Sequence, residues 1–129
     1  PSHPIHDPGV YIRWTKFIPV FHKYQGGTCF GFQLHPLPGV SYHALAHNLR
    51  IMNFVRENCP EFTFREGKYE AGNDKTAIEL LVGDNLLLNY LRGKADWEDV
   101  KEHMKVEEQK WIRKVRKSLL YDIPLFRCK

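Results

Sequence analysis

Two runs rich in β-branched and aromatic residues flank a pair of adjacent glycines. Residues 10–22 read VYIRWTKFIPVFH and residues 28–35 read TCFGFQLH, with Gly26 and Gly27 between them. Val, Ile, Thr, Tyr, Phe and Trp suit a pleated, half-buried surface. Glycine reaches backbone conformations that other residues avoid, so the pair marks a tight turn. The reading is two strands joined through that turn, with Pro19 near the end of the first or at an edge. In the second strand, alternation sends Gln33 and His35 to one face and Phe32 and Leu34 to the other.

After PLPGVS (36–41) the period changes. Ser41 can cap a helix, along which Tyr42, Leu45, Leu49, Met52 and Val55 recur at steps of three and four. Asn58, Cys59 and Pro60 end it. FTFRE (62–66) alternates as a short strand, and GKYEAGND (67–74) reads as a loop. TAIELLV (76–82) and DNLLLNYLR (84–92) read as short helices closed by Gly83 and Gly93. Asp96 can cap a long last helix, with Glu98 and Asp99 in its first turn. Trp97, Val100, Met104, Trp111, Val115 and Leu119 share one face of it. The order β-β-α-β-α-α-α predicts an α+β fold: a small β-sheet packed with about four helices, the last one long. Residues 1–9 read as a linker and residues 10–129 as a single α+β domain.

With 43% hydrophobic and 26% charged residues over 129 positions, the chain has the composition of a globular domain, not of a disordered one. No apolar run is long enough to span a membrane. The N-terminus carries neither a signal peptide nor Met, so the chain reads as a piece of a longer protein. The net charge is +4 and the pI about 9.0, with much of the positive charge in KWIRKVRK (110–117) and the RCK tail. A basic helix face can meet nucleic acid, an anionic glycan or an anionic surface. Acid first and base last also complements the helix dipole, which gives the basic run a structural explanation. Cys29, Cys59 and Cys128 are odd in number, which leaves room for one disulfide at most.

Several arrangements have chemical potential. His43 and His47 are four apart on a predicted helix, a spacing that can hold one metal, but no carboxylate or cysteine nearby completes the set. His3 and His6 stand in the terminal segment. Cys29 and His35 form no known nucleophile signature, and a cysteine packed between strands is the plainer reading. Glu66, Glu70, Asp74, Glu79, Glu107 and Glu108 are available for glycosidase chemistry, which needs two carboxylates across a cleft, yet none is distinctively arranged. No nucleotide fingerprint occurs. Aromatic and basic residues interleave in YIRWTKFIPVFHKY (11–24), as a single-strand nucleic-acid binder would have them, but alternation in a strand gives the same pattern.

The segment FIPVFHKYQGGTCFGFQLHPL resembles the opening of the C-terminal domain of a bacterial family long known as DUF1343 and associated with NamZ-type exo-β-N-acetylmuramidases. The family pattern is F-x-P-x-x-x-K-Y-x-G-x-x-C-x-G-x-Q-L-H, matched here by Phe17, Pro19, Lys23, Tyr24, Gly26, Cys29, Gly31, Gln33, Leu34 and His35. AIELLVGDNLLLNYLRGKADWEDV and KWIRKVRKSLLYD are similar to its later motifs, so the resemblance covers residues 9–122 in order. Three positions depart: Gly27 and Phe30 stand where the family often has Glu and Gly, and Glu79 where it has Asp.

The resemblance implies a parent enzyme that removes terminal N-acetylmuramic acid from peptidoglycan fragments. It places the catalytic carboxylates in an N-terminal, Rossmann-like domain to which none of these residues corresponds. No catalytic residue, metal site or cofactor is therefore expected here. The expected role is to shape the substrate cleft and pack on that catalytic domain. The alternative is a stand-alone glycan- or anion-binding module, and nucleic acid is not an expected partner. Lys23, Tyr24, Gly26, Gly31, Gln33 and His35 are the candidates for binding a muramic-acid-containing sugar or for the domain interface. The family link also implies an exported protein, periplasmic or extracellular.

Overall fold

The structure, a computed structural model, describes residues 5–69 and 74–120. His3, Glu70, Cys128 and the RCK tail lie outside the described residues. Strand β1 spans Val10–Phe17 and β2 spans Cys29–Pro36, paired antiparallel in a two-stranded sheet. Four helices follow: α1 (Ala44–Asn58), α2 (Ala77–Val82), α3 (Asn85–Leu91) and α4 (Trp97–Val115), the last continued by a 3-10 turn at Arg116–Ser118. The fold is α+β, with a small sheet and four helices of which the last, at 19 residues, is the longest. The chain divides into two compact units, one ending at His47 and the other beginning at Asn48.

Three local expectations are corrected. β1 stops at Phe17, not residue 22; Pro19 has no N–H to give a ladder. FTFRE is not a strand. It meets no partner strand among the described residues, and Phe62 and Phe64 instead pack edge to face with centroids 5.1 Å apart. Helix α1 starts at Ala44, too late for Ser41 to cap it. His43 takes that part: its Nδ1 accepts the Ala46 N–H at 3.1 Å.

In the first unit, Val10 and His47 are buried. Gly9 is required by close approach, since a Cβ there would lie 2.4 Å from the Ser41 carbonyl oxygen. The Leu37 N–H donates to the Gly9 carbonyl at 2.9 Å, closing the base of the hairpin. His47 is only 1% exposed, and both ring nitrogens are satisfied. Nε2 donates to the Ile5 carbonyl at 2.9 Å, and Nδ1 meets the Tyr42 hydroxyl at 3.0 Å. Burial, and then the Asp7 charge, push the Tyr42 phenol above its ordinary pKa.

In the second unit the core comprises Leu49, Ile51, Leu87, Leu88, Tyr90, Leu91, Val100 and Met104. Each short helix is started by a carboxylate. Asp84 Oδ1 accepts the Leu86 and Leu87 N–H groups at 2.8 and 3.0 Å, while Oδ2 pairs with His103 Nε2 of α4 at 2.7 Å. Desolvation pushes Asp84 up, but the Leu87 N–H, the His103 ring and the Leu86 N–H together hold it below its ordinary value. Glu79 Oε2 accepts the Thr76 N–H and hydroxyl, each at 2.8 Å, and its Oε1 pairs with Arg92 at 3.1 Å. The apolar stripe of α4 buries only Val100 and Met104; Trp111 is 61% exposed and Leu119 lies beyond the helix. Pairs Lys101–Glu98, Lys105–Glu102 and Lys110–Glu107 line the solvent side of α4. Among the described residues no helix is long and apolar enough to cross a membrane.

Leu91 is fully buried, so Leu91→Ala is expected to cost about 2–5 kcal/mol by removing contacts and leaving a cavity; a loss under about 1 kcal/mol in urea unfolding contradicts its place in the core. The Thr76 N–H, the Thr76 hydroxyl and Arg92 lower the Glu79 pKa from 4.5 to about 2. Because the folded value is the depressed one, the stability this group contributes is present above pH 4.5 and lost as pH falls towards 2. Glu79→Gln is expected to flatten the fall in melting temperature across that window; an unchanged acid limb rules the linkage out.

Candidate functional site

The hairpin register decides which side chains share a face. Directly opposed residues in an antiparallel pair point the same way. One face carries Tyr11 opposite His35, Arg13 opposite Gln33, Thr15 opposite Gly31 and Phe17 opposite Cys29. The other carries Val10, Ile12, Trp14 and Lys16 with Pro36, Leu34, Phe32 and Phe30. The first is a polar face with aromatic ends. Arg13 Nε donates to Gln33 Oε1 at 3.1 Å, and the Tyr11 and His35 rings lie 6.3 Å apart. Gly31 keeps this face low: a Cβ there would sit 3.5 Å from the Phe17 ring.

The second face is apolar except for Lys16 and changes along its length. Val10 is buried and Ile12 and Leu34 are half-buried near the base. Towards the turn Trp14 is 74% and Phe30 76% exposed. Trp14 packs edge to face on Phe32, at 5.8 Å.

Between the strands, residues 18–28 form a loop that bonds to itself. Gly26 N–H donates to the Pro19 carbonyl at 3.0 Å and Gly27 N–H to the Tyr24 carbonyl at 2.9 Å. Gly26 has φ +75°, which only glycine adopts freely. His22 and Tyr24 also have φ +60°. For residues carrying a Cβ this region costs roughly 1–2 kcal/mol each. Lys23 and Tyr24 are exposed, Tyr24 to 78%.

The six candidates therefore fall into two groups. Lys23, Tyr24 and Gly26 belong to the loop, whereas Gly31, Gln33 and His35 follow along the polar face. Cys29 and His35 stand six residues apart on one strand, about 20 Å, which rules out a nucleophile pair between them. Cys29 and Cys59 are both free thiols. His43 and His47 do not converge on a metal: one caps α1 and the other is held by Tyr42 and Ile5. Among the described residues, no group of three or more His, Cys, Asp or Glu is placed to hold a metal ion. Sequence reasoning missed Arg13 and Tyr11 as members of the site. Their signal is the cross-strand register, which appears only once the length of the loop is fixed.

Comparison with known proteins adds a family. The model described as "Exo-beta-N-acetylmuramidase NamZ, C-terminal" matches residues 4–121. A relative from Bacillus subtilis (strain 168), peptidoglycan beta-N-acetylmuramidase NamZ, is 35% identical over 81 residues, covering 58% of this chain and 20% of that protein. The chain thus spans about a fifth of the length of this curated relative. No solved structure matches.

The loop geometry gives a direct test. Tyr24→Gly relieves the left-handed strain and removes an exposed ring, at the cost of greater freedom in the unfolded chain. Urea unfolding is expected to show stability unchanged or raised by up to about 1 kcal/mol. A loss above about 1 kcal/mol would mean that the ring is there to hold the fold.

Proposed function

The chain belongs to the exo-beta-N-acetylmuramidase NamZ C-terminal family, and from that membership we propose that it is the C-terminal domain of a peptidoglycan glycoside hydrolase. Its work there is to shape the substrate cleft, while bond cleavage falls to a catalytic domain elsewhere in the parent enzyme. The observation that carries this reading is the two-faced hairpin. Its polar face offers the Arg13–Gln33 and Tyr11–His35 pairs, the donors, acceptors and rings that sugars are recognised by. Its apolar face leaves Trp14 and Phe30 bare towards the turn, a surface that suits docking on another domain. Ligand clefts commonly form at such domain junctions.

Within the cleft, Lys23 forms a charge-assisted contact with the lactyl carboxylate of muramic acid. Tyr24 stacks on a sugar face, and Gln33 and His35 bond hydroxyl or acetamido groups. Gly26 and Gly31 keep the backbone close to the ligand. Gln33 lies four residues along β2 from Cys29, at the loop end, about 13 Å. Loop and strand therefore address different parts of an extended glycan, not one ring. Action on peptidoglycan also favours an exported protein. The bare aromatic end of the hairpin supports docking over a stand-alone binding module.

Single variants Lys23→Ala and Gln33→Ala in the full-length enzyme test the reading. Each is expected to lower kcat/KM on a muramic-acid-terminated fragment roughly tenfold. Values within about twofold of wild type for both would remove the sugar-contact role. Trp14→Glu is expected to loosen the two domains, seen as separate unfolding transitions; a single unchanged transition argues against docking through this face.

A further inference from the structure

The second unit holds a cavity of about 320 Å³, at the lower end of the range for small-ligand sites. Three arginines, Arg56, Arg65 and Arg92, are among the residues that line it, and Glu66 is the single acidic residue in the lining. Phe62 and Phe64, whose rings pack on each other, line it too, with Thr63, Thr76 and Ile78. The run from Phe62 to Glu66 joins no sheet among the described residues, and all five of its residues line the cavity instead.

Two of the three arginines are held in place. Arg56 donates through Nε and Nη2 to Asn53 Oδ1, at 3.3 and 2.8 Å, and through Nη2 to Glu57 at 3.2 Å. Arg92 donates through Nη2 to Glu79 at 3.1 Å. Each leaves other N–H groups uncommitted among the described residues, and no buried side-chain polar atom there lacks a partner, so the uncommitted groups of half-buried Arg56 reach solvent. Arg65 forms no ion pair among the described residues; its guanidinium lies 5.9 Å from the centre of the Tyr69 ring. Guanidinium groups fixed by neighbours lose little freedom on binding, and their planar fork matches a carboxylate.

We propose that this cavity binds the carboxylate of a small ligand whose apolar flank lies against Phe62 and Phe64. The proposal rests on the cavity's own lining and not on the role given to the hairpin. In peptidoglycan the same chemistry has two sources, the lactyl group of an acidic sugar and the carboxyl end of a stem peptide.

Backbone amide shifts of the full chain in solution test it, with four probes titrated to about 10 mM. N-acetylmuramic acid, D-alanyl-D-alanine and 3-phenylpropionate carry a carboxylate; N-acetylglucosamine does not. At least one carboxylate probe is expected to move the amides of Phe62, Thr63, Arg65 and Ile78, while N-acetylglucosamine leaves them still. A response to the sugar acid alone, or to the dipeptide alone, identifies the source. A response to 3-phenylpropionate with none to the other two keeps the cavity as a carboxylate site and withdraws peptidoglycan as its source. Arg65→Ala is expected to weaken binding about tenfold and Arg65→Lys less, since lysine keeps the charge and loses the fork. Arg65→Gln replaces Arg65→Ala if the latter does not fold. No shift with any carboxylate probe, an equal shift with N-acetylglucosamine, or affinity unchanged in the folded Arg65 variants would overturn the proposal.

Discussion

A sheet of two strands has two faces and cannot cover either by itself, and isolated hairpins are marginal in water for that reason. Here the ladder runs through eight opposed pairs, from Val10 with Pro36 to Phe17 with Cys29. The base is secured: Val10 is buried, Leu37 bonds back to Gly9, and His47 grips the Ile5 carbonyl. Away from the base that support fades, and the side chains near the loop are left to solvent or to a partner. Once this register is set, the rest of the site follows. A slip of one residue would turn Gln33 and His35 to the apolar side and Phe32 and Leu34 to the polar one.

That dependence explains what could be read from the sequence. Alternation in FGFQLH was enough to put Gln33 and His35 together, because the strand period is two whatever the partner. It did not reveal Arg13 or Tyr11, whose places depend on pairing across a loop of unknown length. The helix-starting roles of Thr76 and Asp84 lie beside strongly helical runs, and α2 and α3 begin where those runs do. The start of α1 was less visible because His43, an uncommon capping residue, does what Ser41 was expected to do. FTFRE shows the limit of periodicity: alternation makes a strand possible, and a strand still needs a partner. On α4 the apolar spacing continues to Trp111, but its burial stops at Met104, since what covers a stripe is not written in the stripe.

Two of the carboxylates, Glu79 and Asp84, serve to begin helices. Glu79 and Asp84 are both held below their ordinary pKa values, chiefly by N–H groups and cationic neighbours that favour the ionised form. A general acid in sugar hydrolysis needs the opposite, a carboxyl kept protonated by an apolar or anionic setting. These two carboxylates therefore suit structural work. The substitution of Glu79 for the Asp of the family pattern fits the same account, because the longer side chain reaches both Thr76 and Arg92.

The loop between the strands is what bare hairpin geometry leaves unexplained. Two to five residues suffice to reverse a chain between antiparallel strands. This loop takes the whole of residues 18–28, and it places His22 and Tyr24 in the left-handed region as well as Gly26. A connector selected only for stability would be shorter and would keep glycine or asparagine at such positions. The strain is held by the closures from Gly26 to Pro19 and from Gly27 to Tyr24, so the loop is shaped and not merely long. What that shape presents is Lys23 and the exposed Tyr24 ring, a cation and an aromatic surface next to each other. Backbone strain that presents such groups to solvent is what the recognition role proposed for this loop requires.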